Sequence, residues 1–375
     1  MSSAKLIYAT SKRSADLYYA TKFAVPDPVI YIDYRDKKTL ILSDLEIDRA
    51  KKQAKVDYCH SLSKYAKIAK QTNKSPTIAD VIHAVLKAKK INKLVMPKDT
   101  SFTLVDGLRK RGYEVKSGTD PFYPERLIKN SHEIAYIKNT QNIVFQGMQM
   151  VHDILAQSKI KRNQLVYKGR ALTSEQLRKI LNVFLMERGC LASDTIIACG
   201  QHSIDPHDIG QGYLRPHQAI IIDVFPRSLS NMYYSDATRT FCRGQASPKL
   251  REMYEVVKQA QKMAISKVKD GINGRIVHET VQKFFDQHKY PTLEKQGRKQ
   301  GFFHSTGHGI GLELHEEPVR IGPKDYKLKK GHVVSVEPGL YYSGIGGVRL
   351  EDLVAVTKGS CEVLGSFPKK LEIGV

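Results

Sequence analysis

The most informative stretch of the sequence is His304-Ser305-Thr306-Gly307-His308-Gly309-Ile310-Gly311, which is followed by His315-Glu316. It places three histidines within twelve positions and separates them with glycines. Glycine lets two backbones approach closely where a site has to be crowded. Two histidines of this spacing mean little alone, because they can equally be satisfied or exposed side chains. The meaning of the stretch therefore depends on the acidic residues around it.

Four acidic residues stand at the ends of apolar segments or in turns on either side of the stretch. They are Asp223 after Ile220–Ile222, Asp236 before Ala237–Phe241, Glu337 in Glu337–Gly339 and Glu351 in Arg349–Asp352. Each of them alone is typical of a turn, a cap or a solvated pair. Together with His308 they supply oxygen-rich ligands, and their four negative charges would balance two divalent cations. Without metal, clustered carboxylates would repel one another and raise each other's pKa.

The sequence therefore predicts a site for two divalent cations, which can activate water for hydrolysis. Oxygen ligands with one imidazole suit manganese, iron, cobalt or zinc without a sharp choice among them. A tetrahedral intermediate also needs hydrogen-bond donors for its oxyanion. His207, His304 and His315 are available for that role, because His308 is the one histidine needed as a ligand.

Composition limits the class of protein. The chain has 375 residues, of which 41% are hydrophobic, and 60 Lys and Arg against 38 Asp and Glu give a net charge of +22. The lysines are spread along the chain without interleaved aromatics, which favours a solvated basic surface over nucleic-acid binding. No apolar run is long enough to cross a membrane, and the beginning of the sequence does not resemble a signal peptide. Five scattered cysteines without a Cys-x-x-Cys pair argue against a disulfide framework, so we expect a soluble, cytoplasmic protein.

Periodicity divides the chain near residues 121–130. The first part, residues 1–125, alternates strand and helix signals and predicts a small α/β domain without ligand clusters. Its signals are a hairpin of Val29–Ile32 with Thr39–Leu42, helices at Thr77–Lys90 and Phe102–Arg111, and strands at Lys93–Met96 and Tyr113–Val115. Residues 126–375 combine long helices with short strands and predict an α+β domain. Helix starts are expected at Asn130–Glu133, Thr173–Gln176, Ser247–Pro248 and Arg275, and strands at Thr195–Cys199, Ala219–Val224, Thr238–Phe241, Val333–Val336 and Leu353–Val356.

The second part resembles the proline-specific branch of the pita-bread metallopeptidases, which includes prolidases (Xaa-Pro dipeptidases) and aminopeptidase P. The similarity is carried by Pro206-His207, Asp236–Phe241, His304–Gly311, Leu314–Glu316, Val336–Tyr341, Gly347–Asp352 and Phe367–Leu371. It covers residues 126–375 closely, whereas residues 1–125 resemble the family's smaller creatinase-like domain through weaker motifs. The resemblance therefore implies a C-terminal pita-bread catalytic domain preceded by an α/β creatinase-like domain.

The resemblance also implies the roles of the site residues. Asp236 and Glu351 would bridge two metal ions, Asp223 would hold one, and His308 and Glu337 would hold the other. Glu337 would also accept a proton from the attacking water. His207 and His315 would stabilise the tetrahedral centre or bind substrate, His304 would line the pocket, and Arg349 would orient Glu351 or meet a substrate carboxylate. Manganese is the common activator in this family, and homodimers are common.

One departure from the family pattern lies between the first two aspartates. The separation from Asp223 to Asp236 is two positions longer than usual, and Phe225 replaces a glycine. A bulge or a longer hairpin between Pro226 and Met232 would absorb the two extra residues. Asp223 therefore stays in the expected ligand set, with Phe225 as a possible source of crowding near the metal.

The resulting hypothesis is a metal-dependent exopeptidase that cleaves the Xaa-Pro bond of small peptides. Proline has no N–H at the scissile nitrogen, so peptidases that bind that N–H cannot use such substrates. The short segment between His315 and Glu337 favours a dipeptidase, in which Arg320 would either clamp the substrate carboxylate or be a solvated surface residue. The alternatives are an aminopeptidase P that accepts longer peptides, an inactive scaffold for nucleic acid or protein, and a creatinase-like amidinohydrolase. The retained metal ligands count against the last two.

Overall fold

The computed structural model describes residues 2–295 and 297–374, which form two compact units, Met1–Arg126 and Leu127–Val375. Both units combine helices with sheets, and the chain has an α+β fold. Among the described residues, no helix has the length and apolar character that a membrane span requires.

The unit Met1–Arg126 is built on one mixed sheet. Its strands are β1 Ala4–Ala9, β2 Val29–Tyr34, β3 Lys37–Leu42, β4 Tyr58–Ser61, β5 Lys93–Met96 and β6 Glu114–Ser117, and its helices are α1 Ala15–Thr21, α2 Ile47–Gln53, α3 Leu62–Thr72, α4 Ile78–Ala88 and α5 Phe102–Arg109. The strand order is β4-β3-β2-β1-β5-β6. The predicted hairpin is confirmed: β2 and β3 pair antiparallel around Arg35 and Asp36, whose positive φ angles of 53° and 58° suit a two-residue turn.

The unit Leu127–Val375 contains longer helices and many short strands. Its helices are α6 Ser131–Gln157, α7 Ser174–Met186, α8 Pro248–Lys267 and α9 Gly274–Gln287. Its strands are β7 Lys159–Lys161, β8 Gln164–Tyr167, β9 Arg170–Ala171, β10 Cys190–Leu191, β11 Ile196–Cys199, β12 Ile220–Val224, β13 Arg227–Ser228, β14 Ala237–Arg243, β15 Leu293–Lys295, β16 Arg298–Gln300, β17 Gly307–His308, β18 Arg320–Ile321, β19 Val333–Val336, β20 Gly339–Tyr342, β21 Gly346–Arg349, β22 Asp352–Val356, β23 Cys361–Val363 and β24 Glu372–Ile373.

The helix starts follow from local sequence. Asn130 Oδ1 accepts a hydrogen bond from Glu133 N, and the Glu133 carboxylate accepts one from Asn130 N, so the capping box predicted for α6 is confirmed. Thr173 caps α7 in the same way. Ser247 caps α8, and Pro248 stands in its first turn, where the missing N–H costs nothing.

Two small sheets meet where the acidic residues lie. One has the order β11-β12-β14-β24 and the other the order β19-β22-β23. Asp223 in β12 pairs with Thr238 in β14, and Glu351 N donates to the carbonyl oxygen of Thr238 across a distance of 3.0 Å. This bond brings the turn between β21 and β22 onto β14. The edges of both sheets therefore converge on one place.

Strand β17 also approaches β19 closely. His308 N donates to Ser335 Oγ at 3.0 Å, and a Cβ on Gly307 would lie 1.9 Å from the carbonyl oxygen of Ser335. Only glycine fits at position 307 without moving one strand. The glycine between the histidines is thus what lets His308 reach the acidic residues.

The extra residues between Asp223 and Asp236 form a side hairpin. Ser228 N donates to the carbonyl oxygen of Tyr233 at 2.9 Å, and Met232 turns the chain with a φ of 65°. Strands β12 and β14 keep a continuous antiparallel register. The hairpin absorbs the additional length outside the paired strands, as the sequence suggested.

Candidate metal centre and active site

The five expected metal ligands come from five different places in the unit Leu127–Val375. Asp223 lies in β12, Asp236 directly precedes β14, His308 ends β17, Glu337 directly follows β19, and Glu351 lies between β21 and β22. All five line the same cleft of about 560 Å³. The fold therefore gathers side chains that are far apart in sequence.

Three of them form the tightest group. One ligand atom each from Asp236, His308 and Glu351 lie within 4.8 Å of one another. His308 Nε2 is 3.6 Å from Asp236 Oδ2 and 3.3 Å from Glu337 Oε1. Glu337 also accepts a hydrogen bond from Ser335 Oγ at 3.0 Å. The imidazole thus faces the carboxylates through the nitrogen that a metal would use.

The carboxylates leave specific oxygens without partners. Asp223 Oδ1, Asp236 Oδ1 and Glu351 Oε1 are buried and have no hydrogen bond to any described residue. A buried polar atom without a partner is costly, so native structures satisfy nearly all of them. Divalent cations bind carboxylate oxygens of this kind together with imidazole. These residues therefore fit a site for divalent cations.

The electrostatics of the group agree with this assignment. Burial, then the negative charges of Glu351 and Asp223, raise the pKa of Asp236 well above its usual value. Burial and the charges of Glu337 and Asp223 raise the pKa of Glu351 in the same way. Neighbouring positive charge would lower both pKa values, because it favours the ionised carboxylate.

His308 and Glu337 form a charged pair in the absence of metal. Burial opposes the charge on each of them, but their hydrogen bond and mutual attraction outweigh that effect. The pKa of His308 is raised to about 9, and the pKa of Glu337 is lowered to about 2. His308 must lose its proton before Nε2 can bind a metal ion.

Arg349 makes different contacts from those expected. Its Nη2 donates to Asp223 Oδ2 at 2.7 Å, and its Nη1 donates to Tyr341 Oη at 2.7 Å. Arg349 reaches Glu351 only through Thr238: its Nε donates to Thr238 Oγ1 at 3.3 Å, and that hydroxyl donates to Glu351 Oε2 at 2.9 Å, so the orienting role stays a prediction. The guanidinium holds one oxygen of Asp223 directly, and the other oxygen is the unpartnered Oδ1.

Tyr341 connects Arg349 to His304, and the sequence analysis did not assign it a role. Its hydroxyl lies 3.0 Å from His304 Nε2, and His304 Nδ1 lies 2.8 Å from the carbonyl oxygen of Ser305. The Ser305 carbonyl can only accept, so Nδ1 carries the proton and Nε2 accepts from Tyr341. Burial, and secondarily the charge of Arg349, lower the pKa of His304 to about 4, so the ring is neutral.

This network changes the assignment of the three histidines. Both ring nitrogens of His304 are engaged, so His304 lines the cleft without a free donor for an oxyanion. His207 and His315 also line the cleft. The ring of His315 packs edge to face on His308, with 4.3 Å between the ring centroids. Burial and the nearby charge of His308 lower the pKa of His315 to about 4, so it is a neutral donor at pH 7.

The remaining lining of the cleft is largely apolar with an acidic rim. The apolar wall consists of Ile196, Pro206, Phe225, Phe303 and Leu314. Asp205 and Glu317 add carboxylates. Arg320 Nη2 forms an ion pair with Glu317, so this arginine is engaged at the rim and does not line the cleft.

Comparisons with known proteins agree with one another. Residues 135–358 match the model of Metallopeptidase family M24. The Xaa-Pro dipeptidase of Pyrococcus furiosus is 30% identical over 340 residues, which are 90% of this chain and 86% of that protein.

Two solved structures have the same fold. The Xaa-Pro dipeptidase from Bacillus anthracis has a TM-score of 0.82 at 26% identity, covering 99% of this chain and 95% of that one. The X-Pro aminopeptidase from Thermotoga maritima has the same TM-score at 23% identity, covering 99% and 97%. At the latter identity the likeness shows the fold alone, so structural similarity does not separate the two specificities.

Proposed function

The chain belongs to metallopeptidase family M24, and from this premise we propose that it is a prolidase, a metal-dependent hydrolase that cleaves the Xaa-Pro bond of dipeptides. Support comes from its similarity to Xaa-Pro dipeptidases along most of their length. The observation that carries the proposal is the set of three unpartnered, buried carboxylate oxygens beside His308. A protein that only binds other macromolecules would gain nothing from keeping these carboxylate oxygens buried without a partner.

We propose that Asp223, Asp236, His308, Glu337 and Glu351 together hold two divalent cations. When bound, such ions lower the pKa of water and polarise the substrate carbonyl. The family resemblance implies that Asp236 and Glu351 would be shared by both ions, and the negative charges of Asp223 and Glu337 reach both of these side chains. Asp223 would offer Oδ1, since Oδ2 is held by Arg349.

The other side chains act on the substrate and on protons. Glu337 accepts the proton of the attacking water and passes it to the leaving proline nitrogen. Its orientation is set by the hydroxyl of Ser335, 3.0 Å away. His315, neutral at pH 7, donates an N–H to the oxyanion of the tetrahedral intermediate, and His207 is the second donor. The apolar wall gives the pyrrolidine ring a surface that excludes water.

Dipeptide specificity is a finer proposal than hydrolysis of Xaa-Pro bonds. The segment from His315 to Glu337 is short, and Arg320 and Glu317 pair with each other at the rim. A substrate carboxylate approaching Arg320 would compete with Glu317 for its guanidinium. Release of Arg320 from Glu317 would then provide the clamp for the C-terminus of a dipeptide. Aminopeptidase P activity on longer peptides is the alternative.

We also propose manganese as the native metal, a homodimer and a cytoplasmic location. Manganese suits ligands that are mostly carboxylate oxygens, although iron, cobalt and zinc suit them too. The homodimer rests on the family resemblance. The five cysteines are free thiols in the described part of the chain, which suits a reducing compartment.

One set of assays tests these proposals. Purified protein is stripped with a chelator, reloaded separately with each metal, and assayed on matched Xaa-Pro and Xaa-Pro-Yaa peptides. We expect stoichiometric metal, loss of activity after chelation, and better turnover of the dipeptide. Faster cleavage of the tripeptide would instead support aminopeptidase P.

Variants then test the assigned ligands. His308→Ala and Glu337→Ala should each abolish turnover while the far-ultraviolet circular dichroism stays native. His132→Ala, at an exposed position in the first turn of α6, is the matched control and should retain full activity. Full activity in either site variant would contradict the roles given to His308 and Glu337.

A further inference from the structure

Lys129 and Glu316 form a fully buried ion pair that the mechanism above does not use. Lys129 Nζ contacts Glu316 Oε2, and the side chains are 0% and 1% exposed. A buried charge that loses its partner is strongly destabilising, whereas an apolar pair of similar volume is often tolerated. The presence of two buried charges at this position therefore calls for a role beyond packing.

Glu316 organises the loop that follows His308. Its Oε1 accepts from Leu312 N at 2.9 Å, and its backbone N donates to the carbonyl oxygen of Gly309 at 2.8 Å. A Cβ on Gly311 would lie 2.5 Å from Glu316 Oε1, so the carboxylate packs directly against the loop backbone. The loop from residue 309 to residue 316 is thus closed on itself around one carboxylate.

The same loop sets the orientation of the metal-binding imidazole. The carbonyl oxygen of Gly309, which accepts from Glu316 N, also lies 3.1 Å from His308 Nδ1. A carbonyl accepts only, so Nδ1 carries a proton and Nε2 is directed at the carboxylates. His315 directly precedes Glu316 and packs on His308. Both histidines therefore depend on where Glu316 is held.

Lys129 is itself held firmly. Its backbone N donates to the carbonyl oxygen of Gly331 at 2.8 Å, and its Nζ donates to the carbonyl oxygen of Leu127 at 3.3 Å. It directly precedes Asn130, the N-cap of α6. The ammonium is therefore a fixed point at the start of the longest helix of this unit.

We propose that Lys129 and Glu316 are positioning residues, which set the rings of His308 and His315 through the loop between them. This inference rests on the proposed function for its catalytic consequence, but its effect on metal binding does not need the substrate. Mutation of a group that orients a metal-binding histidine without binding the metal itself typically lowers metal affinity or activity by about 10- to 100-fold. A pair that only stabilised the fold would change neither.

The test replaces the pair by apolar residues of similar volume. Lys129→Met/Glu316→Met removes both charges and should still fold, because no unpaired charge remains. Lys138→Met is the matched control, since Lys138 lies in α6 and forms an exposed ion pair with Glu362 in β23. Each metal-free protein is titrated with cobalt(II), whose visible absorption bands report the geometry of its ligands. Steady-state kinetics are then measured on one Xaa-Pro dipeptide.

We expect the double variant to bind cobalt(II) about tenfold more weakly with altered absorption bands, and to lose kcat by at least about tenfold with little change in KM. The control should match the native protein. A folded double variant with native cobalt affinity, bands and kcat would overturn the proposal.

A second variant covers the case in which the double variant does not fold. Lys129→Met/Glu316→Gln keeps an acceptor for Leu312 N, removes the ionic attraction and leaves no unpaired buried charge. It should show the same loss of cobalt affinity, and native affinity would refute the proposal. Inactivity of the native enzyme on all Xaa-Pro peptides would refute the proposed function instead, and the cobalt titration would still decide the role of the pair.

Discussion

Metal binding should be strongly dependent on pH, because His308 holds a proton that the metal must displace. Its pKa in the metal-free protein is raised to about 9, against an ordinary value of 6.5. Burial opposes this shift, but the hydrogen bond to Glu337 and the surrounding negative charges outweigh burial. A raised pKa means that protons compete better with metal, so affinity must fall as pH falls.

The size of the effect follows from the pKa. At pH 7, about 2 pH units below this pKa, removing the proton from His308 costs about 2.7 kcal/mol. This cost weakens metal affinity roughly a hundredfold. Below pH 9, affinity should change about tenfold per pH unit through His308 alone. Asp236 and Glu351 also have raised pKa values, and any proton that they hold adds to the same slope. We therefore expect at least about a hundredfold gain in affinity from pH 6 to pH 8.

Isothermal titration of chelator-stripped protein with manganese(II) at pH 6, 7 and 8 measures this slope. Parallel titrations in buffers of different ionisation enthalpy count the protons released, and we expect one or more at pH 7. His315→Asn is the control, because the pKa of His315 is already lowered to about 4 and its ring stays neutral throughout this range. An affinity that is constant from pH 6 to pH 8, with no proton release, would refute the charged state of His308.

Three further predictions concern stability and the cleft. The metal-free protein should lose thermal stability as pH rises from 6 to 10. The stabilisation from protonated His308 is fully present below pH 6.5 and is lost as the pH rises through about 9. Calorimetry at each pH, without and with metal, measures the melting temperature. Tyr341→Phe removes the hydroxyl that connects His304 to Arg349. A hydrogen bond to a charged group contributes about 1.5–3 kcal/mol, so kcat/KM should fall by about tenfold or more. Unchanged kinetics would contradict the connecting role of Tyr341. Phe225→Ala removes apolar surface from the cleft without touching the charged groups, so KM for an Xaa-Pro dipeptide should rise about tenfold with kcat nearly constant, and a fall in kcat alone would contradict this assignment.

The parts of the fold that sequence could predict are those that local chemistry determines. In the capping boxes at Asn130 and Thr173 and in the turn at Arg35-Asp36, the residues that form each feature lie within a few positions of one another along the chain. The five proposed metal ligands could be named together from the sequence because they stand in motifs that resemble one family, and their binding of metal stays a prediction. Strand β1 at Ala4–Ala9 was missed, since it carries no turn signal that separates it from a loop.

The contacts that set the ligands in place were not predictable, because their partners are distant in sequence. Arg349 and Asp223 are 126 positions apart, and Lys129 and Glu316 are 187 positions apart. An arginine two residues before Glu351 has no local signal for choosing Asp223 over Glu351. That choice depends on the register of β12 with β14 and on how β21 lies across them, which only the tertiary structure determines.

The same reasoning explains why Phe225 need not block the site. Asp223 and Phe225 are two positions apart, so both reach the cleft, and the aromatic ring forms part of its wall. Yet β12 and β14 keep their register, and the additional residues leave through the hairpin beyond Phe225. Arg349 fixes Asp223 Oδ2, which leaves Oδ1 buried and unpartnered. A ring that filled the metal position would have to cover that oxygen with apolar atoms, and the cost of such an unsatisfied carboxylate is the physical reason for placing a cation there instead.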